Sequence, residues 1–254
     1  SRNGLERLML QNKNIARTLL TETPVEMDEN EVRAIYYDEQ RKYMLMGNKR
    51  GQLYRFANGR QTLLDNDGKG KKIDFGRIYG IQKDRTGNYW ISTKGNGLFH
   101  MRMHSNGQHS FNRFTHNEND SASLSSNNVY ATVEDKHGNI WVATYGGGVN
   151  LITTTNDGGY KLHNANNTLK DFPKNTYIKR RDIATDKEGN IWAGTTDGLI
   201  IMSYKDGKIS HEVIEQHPDP KYRMQCNDVV SLGCHPDGTM WIGTNGGGLS
   251  HCLG

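Results

Sequence analysis

The four tryptophans of this chain all occupy one slot of one short phrase. The phrases run from Gly87 to Thr93 (GNYWIST), Gly138 to Thr144 (GNIWVAT), Gly189 to Thr195 (GNIWAGT) and Gly238 to Thr244 (GTMWIGT). Successive tryptophans, Trp90, Trp141, Trp192 and Trp241, lie 51, 51 and 49 residues apart. A fixed period of that size marks units that cannot bury their own faces and must stack on neighbours.

Within a unit the apolar and β-branched runs are short and bounded by Gly, Asn or Asp, which reads as strands and hairpins. An Asp-x-x-Gly turn recurs at Asp84 and Gly87, Asp135 and Gly138, and Asp186 and Gly189, while His235 replaces the aspartate before Gly238. The carboxylate can accept the turn's N–H groups and the glycine can take a positive φ. A second glycine follows each tryptophan, at Gly97, Gly148, Gly198 and Gly248. An earlier copy, Val32 to Gly51, lacks tryptophan, and its spacing from Asp38 puts Met44 in the slot. With a variable fourth strand, such as Gly159 to His163, each unit is a four-stranded antiparallel blade. The expected fold is an all-β propeller of five recognisable repeats, near 32–65, 78–115, 129–165, 180–212 and 229–254. Identical placement makes the tryptophans inter-blade core, and positions that vary between repeats are where a site would be built.

Length and composition fit this reading. The chain has 254 residues, enough for one large all-β domain, and 29 glycines hold its apolar fraction to 34%. It has no apolar run of 18 residues to span a membrane, and no signal peptide at its start. A net charge of +4, with basic residues scattered among acidic ones, gives no nucleic-acid patch. Cys234 and Cys252 fall on strands two spacings apart, roughly 9.5 Å, too far for a disulfide.

Residues 3–20 read as the end of a preceding blade, with Asn3 to Leu8 aligned to third strands such as Asn96 to His100. Gly248 to Cys252 also reads as a third strand, so the two ends compete for one place. The expectation is an open arc, part of a seven-bladed propeller, whose exposed edges favour a homodimer.

The chemistry is sparse. His100 and His104 would stand about 13 Å apart on an extended strand, at ~3.3 Å per residue, too far to share a zinc. The segment from His104 to His116 reads as a polar loop. Asp65 to Gly70 has Lys69 at the fifth calcium-ligand position and is a surface turn. No nucleophile elbow, P-loop or His-Glu-x-x-His motif occurs. Neither metal nor cofactor is expected.

One mouth of the propeller is more suggestive. The second position of the innermost strand is Arg33, Tyr79, Tyr130, Arg181 and Val230 in successive repeats. Loops between second and third strands should open on the same face and add Lys94, Asn96, Tyr145, Asp197 and Asn245. Aromatic faces suit sugar rings, and guanidinium forks suit carboxylate, sulfate or hydroxyl groups.

The phrase from Asn128 and Val129 through Asp135, Trp141 and Thr144 to Gly148 resembles the two-component regulator propeller repeat. The linker from Phe114 to Asp120 and Ser123 to Asn127 resembles that family too. The likeness covers all five repeats and is weakest at Met44. It implies the periplasmic sensor region of a Bacteroides-type hybrid two-component histidine kinase. Such regions have two seven-bladed propellers, a β-sandwich domain, one membrane helix and cytoplasmic kinase and regulator domains. They respond to oligosaccharides and switch on glycan-utilisation genes. The resemblance therefore implies a non-catalytic chain whose partners are an oligosaccharide and other domains of the same sensor. Two alternatives stand beside it. A propeller lyase of the streptogramin type would need a His/Glu pair that these columns lack, and a protein-interaction or dimerisation propeller would need no small ligand.

Overall fold

The computed structural model describes residues 31–67, 70–169, 172, 177–178, 183–205, 207–215, 219, 224 and 226–252, and the backbone of 6–11 and 14–19. At the start, β1 (Glu6–Gln11) and β2 (Asn14–Leu19) form an antiparallel pair. Five sheets follow. The first is β3 (Val32–Asp38), β4 (Tyr43–Asn48), β5 (Leu53–Ala57) and β6 (Arg60–Leu63). The second is β7 (Arg77–Lys83), β8 (Tyr89–Lys94), β9 (Leu98–Met103) and β10 (His109–Phe114). The third is β11 (Val129–Glu134), β12 (Ile140–Thr144), β13 (Gly148–Thr154) and β14 (Tyr160–His163). The fourth is β15 (Ile183–Thr185), β16 (Ile191–Thr195), β17 (Gly198–Lys205) and β18 (Lys208–Ile214). The last has three strands, β19 (Val229–Cys234), β20 (Met240–Thr244) and β21 (Gly248–Cys252). Each sheet is an antiparallel meander in chain order, and the first strands contact one another in the series β3, β7, β11, β15, β19. Sheets stacked about their first strands are the blades of a β-propeller.

The core is divided into layers between blades. One apolar cluster joins the first and second blades through Leu45, Ile78, Tyr89 and Phe99. A second sets Trp90 against Ile140, Val142 and Ile152. A third sets Trp141 against Ile183, Ile191 and Met202, and a fourth sets Trp192 against Val229, Met240 and Ile242. Each tryptophan thus faces the following blade. Trp241 presents the same face but no described blade covers it, so it is 40% exposed where Trp141 is fully buried. The expectation that all four are inter-blade core is corrected at this position.

The turn aspartate has two tasks. Asp135 Oδ1 accepts the N–H groups of His137 and Asn139, and its Oδ2 accepts the Trp141 indole N–H at 3.0 Å. Trp90 and Trp192 bond Asp84 and Asp186 in the same way, at 3.0 and 2.9 Å. The six-residue interval therefore links turn to core in one bond. In the first blade the tryptophan slot belongs to Leu45, because Asn48 pairs with Gln52 as Thr93 pairs with Gly97. The turn after Asp38 is one residue longer there and places Lys42 at φ 53°. Met44, expected in the slot, points to the opposite face of the strand. Asp38 then accepts the hydroxyl of Tyr89 from the next blade, and the side chains of Arg41 and Lys83.

The basic residue after the turn aspartate bridges neighbouring blades. Arg85 binds both oxygens of Glu134 and lies over Gly138, and Lys136 reaches the Glu188 carbonyl and lies over Gly189. At the other end of each blade, Thr93, Thr144, Thr195 and Thr244 donate to the carbonyl oxygens of Gly97, Gly148, Gly198 and Gly248. Gly97 sits at φ 80°, and a Cβ there would stand 2.1 Å from the Phe114 carbonyl oxygen.

The expected loop between His104 and His116 instead contains β10, whose two faces find ring partners, Phe111 with Phe75 and Phe114 with Trp90. Cys234 and Cys252 both register on Met240, from opposite sides. Among the described residues no helix is long and apolar enough to cross a membrane.

Candidate functional site

The first strands carry a shared irregularity. Register shifts fall between Val32 and Ala34, Ile78 and Gly80, Val129 and Ala131, and Val229 and Ser231. The extra residue at each shift is Arg33, Tyr79, Tyr130 or Val230, the column singled out by its variation. A bulge leaves its extra residue outside the ladder and re-aims its side chain.

The aimed side chains meet across blades. The Arg33 guanidinium lies 5.2 Å over the Tyr79 ring. Tyr79 and Tyr130 meet edge to face at 4.9 Å, as do Tyr145 and Tyr177 at 4.8 Å, and Tyr130 and Tyr145 are tilted to one another at 6.0 Å. One continuous ladder therefore runs from the first blade to the segment leading into the fourth. Tyr145 and Tyr177 form an isolated β-bridge, as Lys94 and Asn128 do. These bridges tie the loop after each second strand to the chain that starts the next blade, placing both on one face.

Electrostatics grade the ladder from end to end. At the Arg33 end, Glu31 takes Arg33 Nε at 2.8 Å and is also paired with Lys49. The hydrogen bond from Lys49 holds the Glu31 carboxyl below its ordinary range, against the opposing effect of burial. Burial raises the Tyr130 hydroxyl above the usual tyrosine value, and the neighbouring Tyr79 and Tyr145 add to it. Tyr130 therefore stays a neutral donor at physiological pH. Behind the ladder a cavity of about 180 Å³ is lined by Ile35, Gly80, Ala131, Thr132 and Ile183 from four first strands. The Thr132 hydroxyl in its wall has no partner among the described residues.

The remaining expected residues divide. Asn96 spends its amide on the Asp74 carbonyl at 3.0 Å, Asn245 on Asp228 at 2.9 Å, and Asp197 accepts from Thr196 at 3.0 Å. Asp197 braces its own loop, while Asn96 and Asn245 tie theirs to the segments before β7 and β19. Lys94 ends β8 on the same face and makes no ring contact with the ladder. Arg181 lies outside the described residues. Tyr177 escaped the sequence reading: Ile178 is buried as Val129 is, and Tyr177 pairs with Tyr145. Counting back from Asp186 missed this, because Ile183 follows Ile178 by five residues whereas Thr132 follows Val129 by three.

Comparison with known proteins agrees with this architecture. Residues 123–146 and 224–246 match the two component regulator propeller profile. No curated protein matches the chain. Among solved structures, the extracellular domain of a proposed hybrid two component system from B. thetaiotaomicron is similar at 20% identity and a TM-score of 0.63, covering 97% of this chain and 31% of that one. Virginiamycin B lyase from Staphylococcus aureus is similar at 14% identity and a TM-score of 0.56, covering 87% and 69%. The chain thus spans about a third of the first of these structures, and at such identities the likeness is one of fold.

Proposed function

We propose that this chain, built from two-component regulator propeller repeats, is a ligand-sensing part of the periplasmic region of a hybrid two-component histidine kinase, and that its ligand is an oligosaccharide. The continuous ladder from Arg33 through Tyr79, Tyr130 and Tyr145 to Tyr177 carries this reading. Amphipathic rings that are part exposed offer apolar faces to sugar C–H groups and hydroxyls to sugar oxygens. Arg33 at one end supplies a charge-assisted donor. Signalling follows if ligand favours one packing of the propeller against other domains of the same sensor over another. Any kinase activity, and control of glycan-utilisation genes, belongs to a longer protein.

A glycan array probed with the purified chain tests the reading. It predicts an oligosaccharide hit, no turnover of that glycan, and loss of the hit in Tyr130→Ala. A propeller lyase would convert its ligand, and among the described ladder residues no His/Glu pair is available for that chemistry. An array without a hit at saturating protein contradicts the sugar-sensing role.

A second surface supports the partner side of the reading. Leu249 is 65% exposed, whereas Leu98, Val149 and Leu199 at the same position of other blades are buried. Beside it lies Trp241. Internal interfaces show what covers such a face: the β-branched and sulfur-containing side chains of a neighbouring blade's first two strands. A further blade, within the seven-bladed ring the resemblance implies, fits it in the longer protein. In the isolated chain a second copy takes that place.

A further inference from the structure

The junction of the second and third blades differs from the two that follow it. Trp141 and Trp192 are paired across their sheets with the apolar Leu151 and Ile201, but Trp90 is paired with His100. His100 is 2% exposed and its ring stacks on Trp90 at 4.1 Å. The imidazole is bonded at both nitrogens. Nε2 stands 3.3 Å from Asp84 Oδ2, and Nδ1 stands 3.0 Å from the hydroxyl of Tyr160 on the third blade. Arg102 Nη2 donates to that hydroxyl at 3.1 Å, and its guanidinium lies 5.6 Å over the Tyr160 ring. One assignment satisfies every atom: Arg102 donates to Tyr160, Tyr160 to His100, and His100 to the carboxylate of Asp84. A polar chain thus crosses the Trp90 layer, at the position that the third and fourth blades fill with Leu151 and Ile201, and each buried polar group in it needs its partner.

This chain forms one wall of a cleft of about 600 Å³ between the two blades, at the end that carries the aspartate turns. It is at the opposite end of the strands from the tyrosine ladder. Its floor is apolar, with Ile140 and Ile152, and its rim carries His104 and His137. The carboxylates are already engaged: Glu134 holds Arg85, and Asp84 accepts the Trp90 indole, Thr86, Asn88 and His100. Arg102 is different, for it makes no ion pair among the described residues and its side chain meets the neutral hydroxyl and ring of Tyr160. A fork held in place by Tyr160 with donors to spare is suited to a two-oxygen anion, and the volume is that of a small-molecule site.

We propose that this inter-blade cleft binds a small ring compound bearing a carboxylate or sulfate, with the anion on Arg102 and the ring over Ile140 and Ile152. The site is separate from the tyrosine ladder and stands or falls independently of it. Binding there would couple to the fit of two blades, since Arg102 and Tyr160 belong to different sheets.

Isothermal titration of the purified chain with glucuronate, with glucose and with inorganic sulfate tests the proposal. Glucuronate should bind, glucose should not, and sulfate should compete with glucuronate for the site. Arg102→Gln should weaken glucuronate binding about tenfold or more, Arg102→Lys should restore part of it, and Tyr130→Ala should leave it unchanged. Thermal unfolding of each variant confirms that it is folded. Absence of glucuronate binding at about 10 mM, well above a weak Kd of about 1 mM, overturns the proposal. So does equal binding of glucose, or binding that survives Arg102→Gln or disappears with Tyr130→Ala.

Discussion

Trp141 donates its indole N–H to Asp135 Oδ2 at 3.0 Å, across a turn whose own amides are held by Oδ1 of the same carboxylate. This bond explains why an aspartate and a tryptophan keep a six-residue interval through three repeats. It also grades the tryptophans. Trp141→Ala removes a fully buried ring and should cost about 3–5 kcal/mol. Trp241→Ala, at a 40% exposed site with His235 in the aspartate position, should cost about 1 kcal/mol. Chemical denaturation of both variants checks the ordering, and equal losses would show that the blade layers do not carry the fold.

Acid should unfold the chain through its turn carboxylates. Burial raises the Asp84 pKa, but the hydrogen bond from His100, with those from Thr86 and the Asn88 amide, outweighs it and holds the group below its ordinary range. Asp38 is lowered in the same way, with burial overcome by Tyr89, the Arg41 amide and Lys83. A carboxyl depressed in the folded state contributes stability that is complete above the unfolded value of about 3.9 and is lost as pH falls through the folded one. Stability should therefore fall steeply below about pH 4 and less steeply in Asp84→Asn, as read from urea midpoints across pH.

Two glycines with the same φ of 80° separate backbone strain from close approach. At Gly107 an added Cβ meets nothing within 4 Å, whereas at Gly97 it would meet the Phe114 carbonyl oxygen at 2.1 Å. Gly107→Ala should cost about 1–2 kcal/mol of left-handed strain, and Gly97→Ala distinctly more. Thermal melts of the pair measure the difference, and equal costs would remove the close approach from the account.

Leu249→Glu tests the open blade face. Sedimentation velocity over a range of concentrations should show the wild-type chain self-associating and the variant remaining a monomer. A wild-type chain that is monomeric throughout would mean that no second copy covers this face.

The sequence made visible what repeats at a fixed interval: the tryptophan slots, the turn aspartates and the paired glycines. It did not make visible what a single insertion or a distant partner decides. The extra residue before Tyr43 moved the first-blade slot from Met44 to Leu45. Tyr177 was hidden because the segment before β15 is longer than its counterparts. Arg33, Tyr79, Tyr130 and Tyr145 stood out as variable positions on a conserved frame within one chain, yet their contact depends on bulges that composition does not announce. Asn96, Asp197 and Asn245 were read from their place in the loops, which does not show that Asp74, Thr196 and Asp228 bond their side chains. His100 was weighed in the sequence only as a zinc ligand, and its bond to Tyr160, 60 residues away, depends on the stacking of two blades.

The central claim is that the tyrosine ladder binds sugar. Its most direct measurement is the affinity of the leading glycan-array oligosaccharide for the wild-type chain, Tyr130→Ala and Arg102→Gln by isothermal titration. The account predicts that Tyr130→Ala, which removes the ring joining Tyr79 to Tyr145, weakens binding about tenfold or more, as for one aromatic contact worth about 1.5 kcal/mol. Arg102→Gln, at the other end of the strands, should leave that affinity unchanged. Wild-type affinity in Tyr130→Ala would contradict it.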